Sequence, residues 1–266
     1  MELDIALKIE AAEREYLCSR VENLSLIKGN PYGAKIFFNK EYSCFHVEAT
    51  TSPMLNRIYG SQADQLQSTA NLLRQTAEYS TVTPLLGKSS TLVQQVQLTD
   101  GCLERLKGWT HSQLFCAIEN VNLKRHSFDI EEVIPQKLPE FADIHVDVFH
   151  TNPNQKMLIQ ASFSEQILSD RMKIYAIRES GEMVAGAVMY FASNGVAYLG
   201  TAVTRKHARG LGYHTALISH RIEQAKKSGF SFIAATALPN SKSRRNLQRA
   251  GLTESHIQAL YRIAAG

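Results

Sequence analysis

Between Arg205 and Leu217 the chain reads RKHARGLGYHTAL. Gly210 and Gly212 flank a single leucine, the cations Arg205, Lys206 and Arg209 precede them, and a helical pattern follows. Glycine carries no Cβ and tolerates left-handed backbone, so a Gly-x-Gly turn at the head of a helix presents bare, successive N–H groups. These groups sit at the positive end of the helix dipole, where a phosphate is the natural guest. A dinucleotide loop needs a third glycine and follows the first strand of its domain. Here that position holds Thr215, and the loop follows the fourth strand of its half. A nucleoside-triphosphate loop ends in Gly-Lys-Ser/Thr, which Gly212-Tyr213-His214 does not supply.

A third reading is a coenzyme A loop: a strand splays from its neighbour, and the turn after it grips a pyrophosphate. A second stretch, ALPNSKSRRNLQRAGL from Ala237 to Leu252, supports it. It reads as the end of a strand, then a short helix capped by Asn240 or Ser241 and ended by Gly251. With both stretches in this order, separated by a helix and a strand, the segment from about Phe128 to Ala265 resembles the GNAT N-acetyltransferase superfamily. The family pattern Arg/Gln-x-x-Gly-x-Gly/Ala falls on His207 to Gly212, and the second signature on Asn240 through Gly251-Leu252. Over most of its length the chain resembles a branch in which a degenerate GNAT-like half, residues 1–125, precedes a complete acetyl-CoA-binding domain, residues 126–266. GNPYG, MLNRIYG and VTPLL resemble pieces of the degenerate half.

The resemblance implies acetyl-CoA as co-substrate, no metal, and transfer of the acetyl group to a small-molecule or peptide amine. It implies that the backbone of Ala202 and Val203 pairs with the pantetheine arm. His207, Ala208, Arg209, Gly210, Leu211, Gly212 and Tyr213 then wrap the pyrophosphate, and Asn240, Ser243 and Asn246 border the thioester end. Arg205, Lys206 and Arg209 are placed to pair with phosphates, though for Arg205 and Lys206 a solvated face is an equal reading.

Two positions depart from the family pattern. His207 stands where Arg or Gln is preferred, and Leu247 stands where many members carry a tyrosine that protonates the leaving thiolate. The base is not obvious either. An ammonium must lose a proton before it attacks, yet no Asp or Glu occurs from Met183 through Arg221. The nearest titratable candidates are Tyr190, Tyr198, Tyr213 and His214, with core packing as the plainer role for Tyr190 and Tyr198. A thioester is already activated, so positioning and backbone N–H polarisation can supply much of the rate. No cysteine follows Cys116, so direct attack in a ternary complex is expected rather than an acyl-cysteine. The alternative is a non-catalytic acyl-CoA-binding or regulatory protein that keeps the loop.

The elements that must position these groups read as α/β with a mixed sheet. The first half is expected as a helix over residues 3–24, a hairpin of AKIFF and SCFHVEA, strand MLNRIYG, a helix over residues 61–78, strand YSTVTPLL, a short helix near Asp100–Gly108 and strand QLFCAIENV. After a polar linker, Asn122–Ser127, come strand FDIEEVI, helix LPEFADIHVDVFHT and strands MKIYAIRES, EMVAGAVMYFA and VAYLGTAV. The loop, a helix to about Lys227, strand FSFIAATAL, the short helix and strand HIQALYRIA complete it.

The 266 residues suffice for one large domain or two small ones, and 44% hydrophobic with 20% charged residues marks an ordinary globular chain. A net charge of +4 is too small to argue for nucleic acid, and Lys242–Arg249 lacks interleaved aromatics. No apolar run is long enough to span a bilayer, and the four scattered cysteines fit a reducing, cytoplasmic setting. A monomer or homodimer is expected. His145, Asp147 and His150 lack the spacing of a metal set.

Overall fold

The computed structural model describes residues 2–38, 43–61, 79–82, 94–99, 101–164 and 170–264. In chain order the elements are α1 (Glu2–Ser25), β1 (Ala34–Phe38), β2 (Ser43–Val47), β3 (Arg57–Ser61), β4 (Ser80–Val82), β5 (Gln95–Leu98) and β6 (Gly101–Ala117). Then follow β7 (Glu131–Glu132), α2 (Leu138–Phe149), α3 (Lys156–Ser162), β8 (Met172–Glu179), β9 (Glu182–Phe191) and β10 (Val196–Thr204). The chain closes with α4 (Tyr213–Lys227), β11 (Phe232–Ala237), α5 (Lys242–Arg249) and β12 (Thr253–Ile263).

All the strands join one mixed sheet in the order β1-β2-β3-β4-β12-β6-β11-β10-β9-β8-β7, with β5 on β6. Two arms show the same strand senses. β1–β2 and β2–β3 are antiparallel and β3–β4 parallel. Likewise β8–β9 and β9–β10 are antiparallel and β10–β11 parallel. The centre is an exchange: β6 seats against β11, and β12 seats against β4. β6 and β12 then pair with each other, so the sheet runs unbroken across the linker after Asn122.

Several expectations change here. The helix expected near Asp100–Gly108 is not found in its described part, Gly101–Gly108. From Gly101 onward it is strand, because the end of β12 pairs with it through Ile263↔Leu103, Arg262↔Glu104 and Tyr261↔Arg105. An Arg262–Glu104 ion pair of 2.8 Å lies across that ladder. A distant strand has overridden a local helical pattern. FDIEEVI contributes only Glu131–Glu132 to the sheet, and α3 is a helix the periodicity did not single out. The expected helix over 61–78, beyond Ser61, and the end of YSTVTPLL, beyond Val82, lie outside the described residues.

One face of the sheet is covered by α1, α2 and α3, the other by α4 and α5, each over its own hydrophobic cluster. α1 crosses strands of both arms, against β1 and β2 at one end and β10, β11 and β12 elsewhere. Its second half is therefore buried on most sides, with Tyr16, Leu17, Val21 and Leu24 at 1% exposure or less. Its polar side chains there must find partners. Arg20 stacks on Phe163, 4.1 Å from the ring centroid, and donates to Ser162 Oγ at 3.0 Å. Asn23 donates to the Ser162 carbonyl, which fixes α1 on α3. Among the described residues no helix is long and apolar enough to cross a membrane, and no group of His, Cys, Asp or Glu is arranged to hold a metal ion.

The exchange makes each arm depend on a strand from the other. Residues 126–266 expressed alone expose the β11 edge that β6 covers, and are expected to show no cooperative thermal transition. Adding residues 1–125 in trans is expected to restore one, readable by near-ultraviolet circular dichroism.

Candidate functional site

β10 and β11 pair from Val196↔Phe232 to Leu199↔Ala235 and then part. β10 continues to Thr204, and among the described residues β9 is its only partner there, so Ala202 and Val203 have β9 on one side and no described strand on the other. The register with β9 slips between Leu199 and Ala202, a bulge that turns the backbone at the parting. Two side chains from opposite faces fill the irregularity. Tyr16 of α1 lies so close to Gly200 that a Cβ there would sit 2.8 Å from its ring, and only glycine fits. Its hydroxyl is 2.9 Å from Thr201 Oγ1 and accepts from the Thr201 N–H at 3.4 Å. Arg221 of α4 donates to the carbonyls of Val188, at 2.7 Å, and Leu217, at 3.0 Å. Val188 lies opposite the bulge. Arg221 is 1% exposed, and burial lowers its guanidinium to about 9.

After Thr204 a short 3-10 turn, Lys206–Ala208, leads into the glycines. Gly210 has φ +88° and Gly212 φ +93°. A Cβ on Gly210 would meet nothing within 4 Å, so within the protein alone backbone conformation, not space, requires glycine there. Gly212 caps α4 without a side-chain bond, leaving the first amides of the helix bare. His207, Arg209, Gly210, Leu211 and Gly212 are exposed, and Ala208 is buried beneath them. Arg205 is already committed, 2.8 Å from Glu182 and 3.5 Å from Asp147. Tyr213 is buried edge-on to Phe128 with its phenol on Glu179, so it can offer a ligand only its backbone.

The second signature faces this loop. Ser241, not Asn240, caps α5 by accepting from the Arg244 N–H at 3.0 Å. Asn240 is exposed just before it and Ser243 is half-buried. Asn246 donates to His214 Nδ1 at 3.0 Å and so ties α5 to the first turn of α4. Burial pushes His214 down to about 4, with the Arg221 charge assisting, so the imidazole is neutral. Leu247 is 3% exposed in the core beneath α4. Gly251 ends the helix at φ +104°, where a Cβ would lie 2.8 Å from the Asn120 carbonyl.

Tyr198 and Tyr190 are register partners on β10 and β9, and both pack against Tyr16. Tyr198 is the one beside the parting. Its hydroxyl is 2.8 Å from Thr236 Oγ1 and 3.2 Å from Glu13 Oε1. Burial, with the Glu13 charge assisting, holds this phenol well above its ordinary value. Tyr190 lies one strand outward beside Arg171, and burial pushes it up to about 12.

Glu13 is the carboxylate that strand-by-strand reading missed. It comes from α1, is 3% exposed, and accepts from Tyr59 at 2.8 Å and Thr236 at 3.1 Å. Gln113 Nε2 is 3.5 Å away and Arg57 Nη1 4.0 Å away. Thr236 is the first β11 residue past the last pair with β10, so this carboxylate stands at the mouth of the parting. The one local signal was an acid inside the apolar stripe of Ile9, Ala12 and Tyr16. The burial of His256, lowered to about 4, and of His111 extends the polar belt over β6 and β12. The four cysteines are free; burial lifts Cys18 to about 12 and Cys116 to about 11, so neither is a ready nucleophile.

Residues 138–252 match the model of the acetyltransferase (GNAT) family. Solved structures share the fold over nearly the whole chain. A GCN5-related N-acetyltransferase from Kribbella flavida aligns with TM-score 0.62 at 13% identity, covering 96% of each chain. A putative GNAT-family acetyltransferase from Novosphingobium aromaticivorans aligns with TM-score 0.57 at 15% identity, covering 92% of this chain and 97% of its own. A GNAT-family acetyltransferase from Colwellia psychrerythraea gives 0.54 at 10% identity, with the same coverage of 92% and 97%. No curated protein matches the chain.

Three half-buried imidazoles, of which His214 lies at the site, make the fold acid-sensitive. His145, held at about 3 by burial, joins His214 and His256 at about 4, all below the ~6.5 of an unfolded histidine. The folded values are depressed, so the unfolded chain takes up protons first as pH falls. Stability is full above about 6.5 and declines towards pH 4, by up to about 1.4 kcal/mol per pH unit for each histidine. Urea midpoints measured between pH 7.5 and 4.5 are expected to fall, and less steeply in His214→Asn.

Proposed function

We infer, from the match of residues 138–252 to the GNAT acetyltransferase family model, that the protein moves an acetyl group from acetyl-CoA to an amine by direct attack in a ternary complex. The observation that carries this reading is the parting of β10 and β11 beside a glycine-led, uncapped helix start. The bare amides from Gly210 to Tyr213 suit a pyrophosphate. The free edge of Ala202 and Val203 suits the amide-bearing pantetheine, which then leads the thioester towards Thr236 and Glu13. Asn246, oriented by His214, borders that path, with Ser243 and Asn240 at its rim.

On this reading Glu13, rather than Tyr190 or Tyr198, takes the proton of the attacking amine, and the Tyr198 phenol and Thr236 hydroxyl hold the carboxylate in place. Leu247 offers no proton, so the thiolate is protonated from solvent. The acceptor, a small-molecule or peptide amine, approaches from the α1 face, where both arms line the polar belt. A binder without turnover is the second reading, favoured by the burial of Leu247 at the position of the usual acid.

Calorimetric titration with acetyl-CoA is expected to give micromolar binding that Gly210→Trp and Gly212→Trp abolish; unchanged binding in both variants removes the cofactor from this loop. Thiol release with a panel of amines separates enzyme from binder. For an accepted amine, Glu13→Gln is expected to lower kcat about 10²-fold or more with acetyl-CoA affinity retained.

A further inference from the structure

A cavity of about 550 Å³ lies between α1, the β1–β2 strands of the first arm and the β9–β10 turn of the second. It falls within the size range of small-molecule sites, about 300–1,000 Å³. None of the residues that line it belongs to the glycine loop or the parting. Arg14, Cys18 and Glu22 form the helix wall, at i, i+4 and i+8, so they stand in line along one face of α1. Ile36 and Phe38 line it from β1, and Tyr190 from β9. The second-arm wall is fixed to the helix: Glu15 pairs with Arg171 at 2.6 Å and accepts from the Ser193 N–H at 2.8 Å, and Asn194 donates to the Lys8 carbonyl at 2.9 Å. Glu15 and Arg171 are thereby spent on each other. Among the described residues no side-chain hydrogen bond or ion pair engages Arg14 or Glu22, at opposite ends of the same wall. Phe38, across from them, is 66% exposed. A cation, an anion and an aromatic ring thus border one cavity with neither partners nor cover.

We propose that this cavity is a second ligand site and binds a dipeptide with apolar side chains, its carboxylate on Arg14 and its ammonium on Glu22. The spacing sets the length. Eight helical residues rise about 12 Å, too far for the two charges of a single amino acid to bridge. An extended dipeptide spans about 7 Å, and the reach of the arginine and glutamate side chains covers the rest. The orientation follows from charge. Glu22 opens the last turn of α1, which ends at Ser25, and the helix dipole there also favours a cation. The peptide's apolar side chains then lie against Tyr190, Ile36 and Phe38 and remove the Phe38 ring from water. Cys18 stands midway along the wall, and burial lifts its thiol to about 12, so it presents a neutral sulfur to them. The site uses none of the groups assigned to acetyl transfer, and it stands independently of that reading.

Leu-Leu is the probe. Calorimetric titration into the full chain is expected to give a submillimolar Kd. Leu-Leu amide, which lacks the carboxylate, and N-acetyl-Leu-Leu, which lacks the ammonium, are each expected to bind about tenfold more weakly. Arg14→Gln is expected to weaken Leu-Leu about tenfold and to leave Leu-Leu amide unchanged. Glu22→Gln is expected to weaken Leu-Leu to the same degree and to leave N-acetyl-Leu-Leu unchanged. Glutamine is a good helix former and neither side chain has a partner to lose, so both variants are expected to fold. If one does not, the two blocked peptides test the same contacts on the unaltered protein. Leu-Leu binding no tighter than that of both blocked peptides overturns the site. Binding that ignores both substitutions, as it would for a peptide seated as an acceptor at the parting, also overturns it, and so does absence of binding.

Discussion

Among the described residues, β10 beyond Leu199 has a strand partner on one edge only. Backbone donors and acceptors freed inside a sheet are expensive unless something else satisfies them. Here Tyr16 meets the Thr201 amide from one face and Arg221 the Val188 carbonyl from the other. Without these props the parted strands have every reason to close into an ordinary ladder. Gly200 and the bulge it permits are the condition for both contacts, so a single missing Cβ allows the helix to approach and the strand to stay open.

Burying charge is the cost of this arrangement. Glu13 leaves water on α1 and is repaid by the hydroxyls of Tyr59, Tyr198 and Thr236, with Arg57 nearby. A buried carboxylate held this way is costly to strip of one partner, by several kcal/mol. The network draws on α1, β3, β6, β10 and β11, and therefore locks the two arms together. Among the described residues no anion pairs with Arg221, which relies on two carbonyls, and burial lowers its guanidinium. That buried charge sits directly behind the bulge.

The central exchange gives the same conclusion from topology. Because β6 covers β11 and β12 covers β4, the matched GNAT segment takes one of its neighbouring strands from outside its own bounds. The solved relatives align over both arms at only 10–15% identity. Strand order and sense carry that likeness, while few individual side chains do.

The sequence alone determined the features whose cause is local. Gly210, Gly212 and Gly251 adopt positive φ where the turn and cap chemistry required it. The strand–loop–helix–strand–helix order from Val196 to Arg249 followed from periodicity between such punctuation. Which carboxylate stands beside the parting was decided by tertiary structure. Glu13 lies 185 residues from Tyr198 along the chain, and no spacing rule spans that distance. The same holds for Gly101–Gly108, whose local pattern favoured helix until the end of β12 supplied a ladder. Periodicity reports which face of an element is apolar, but not which distant element will cover it. The loop was therefore legible from its residues, and its chemical partners only from the way α1 folds back over both arms.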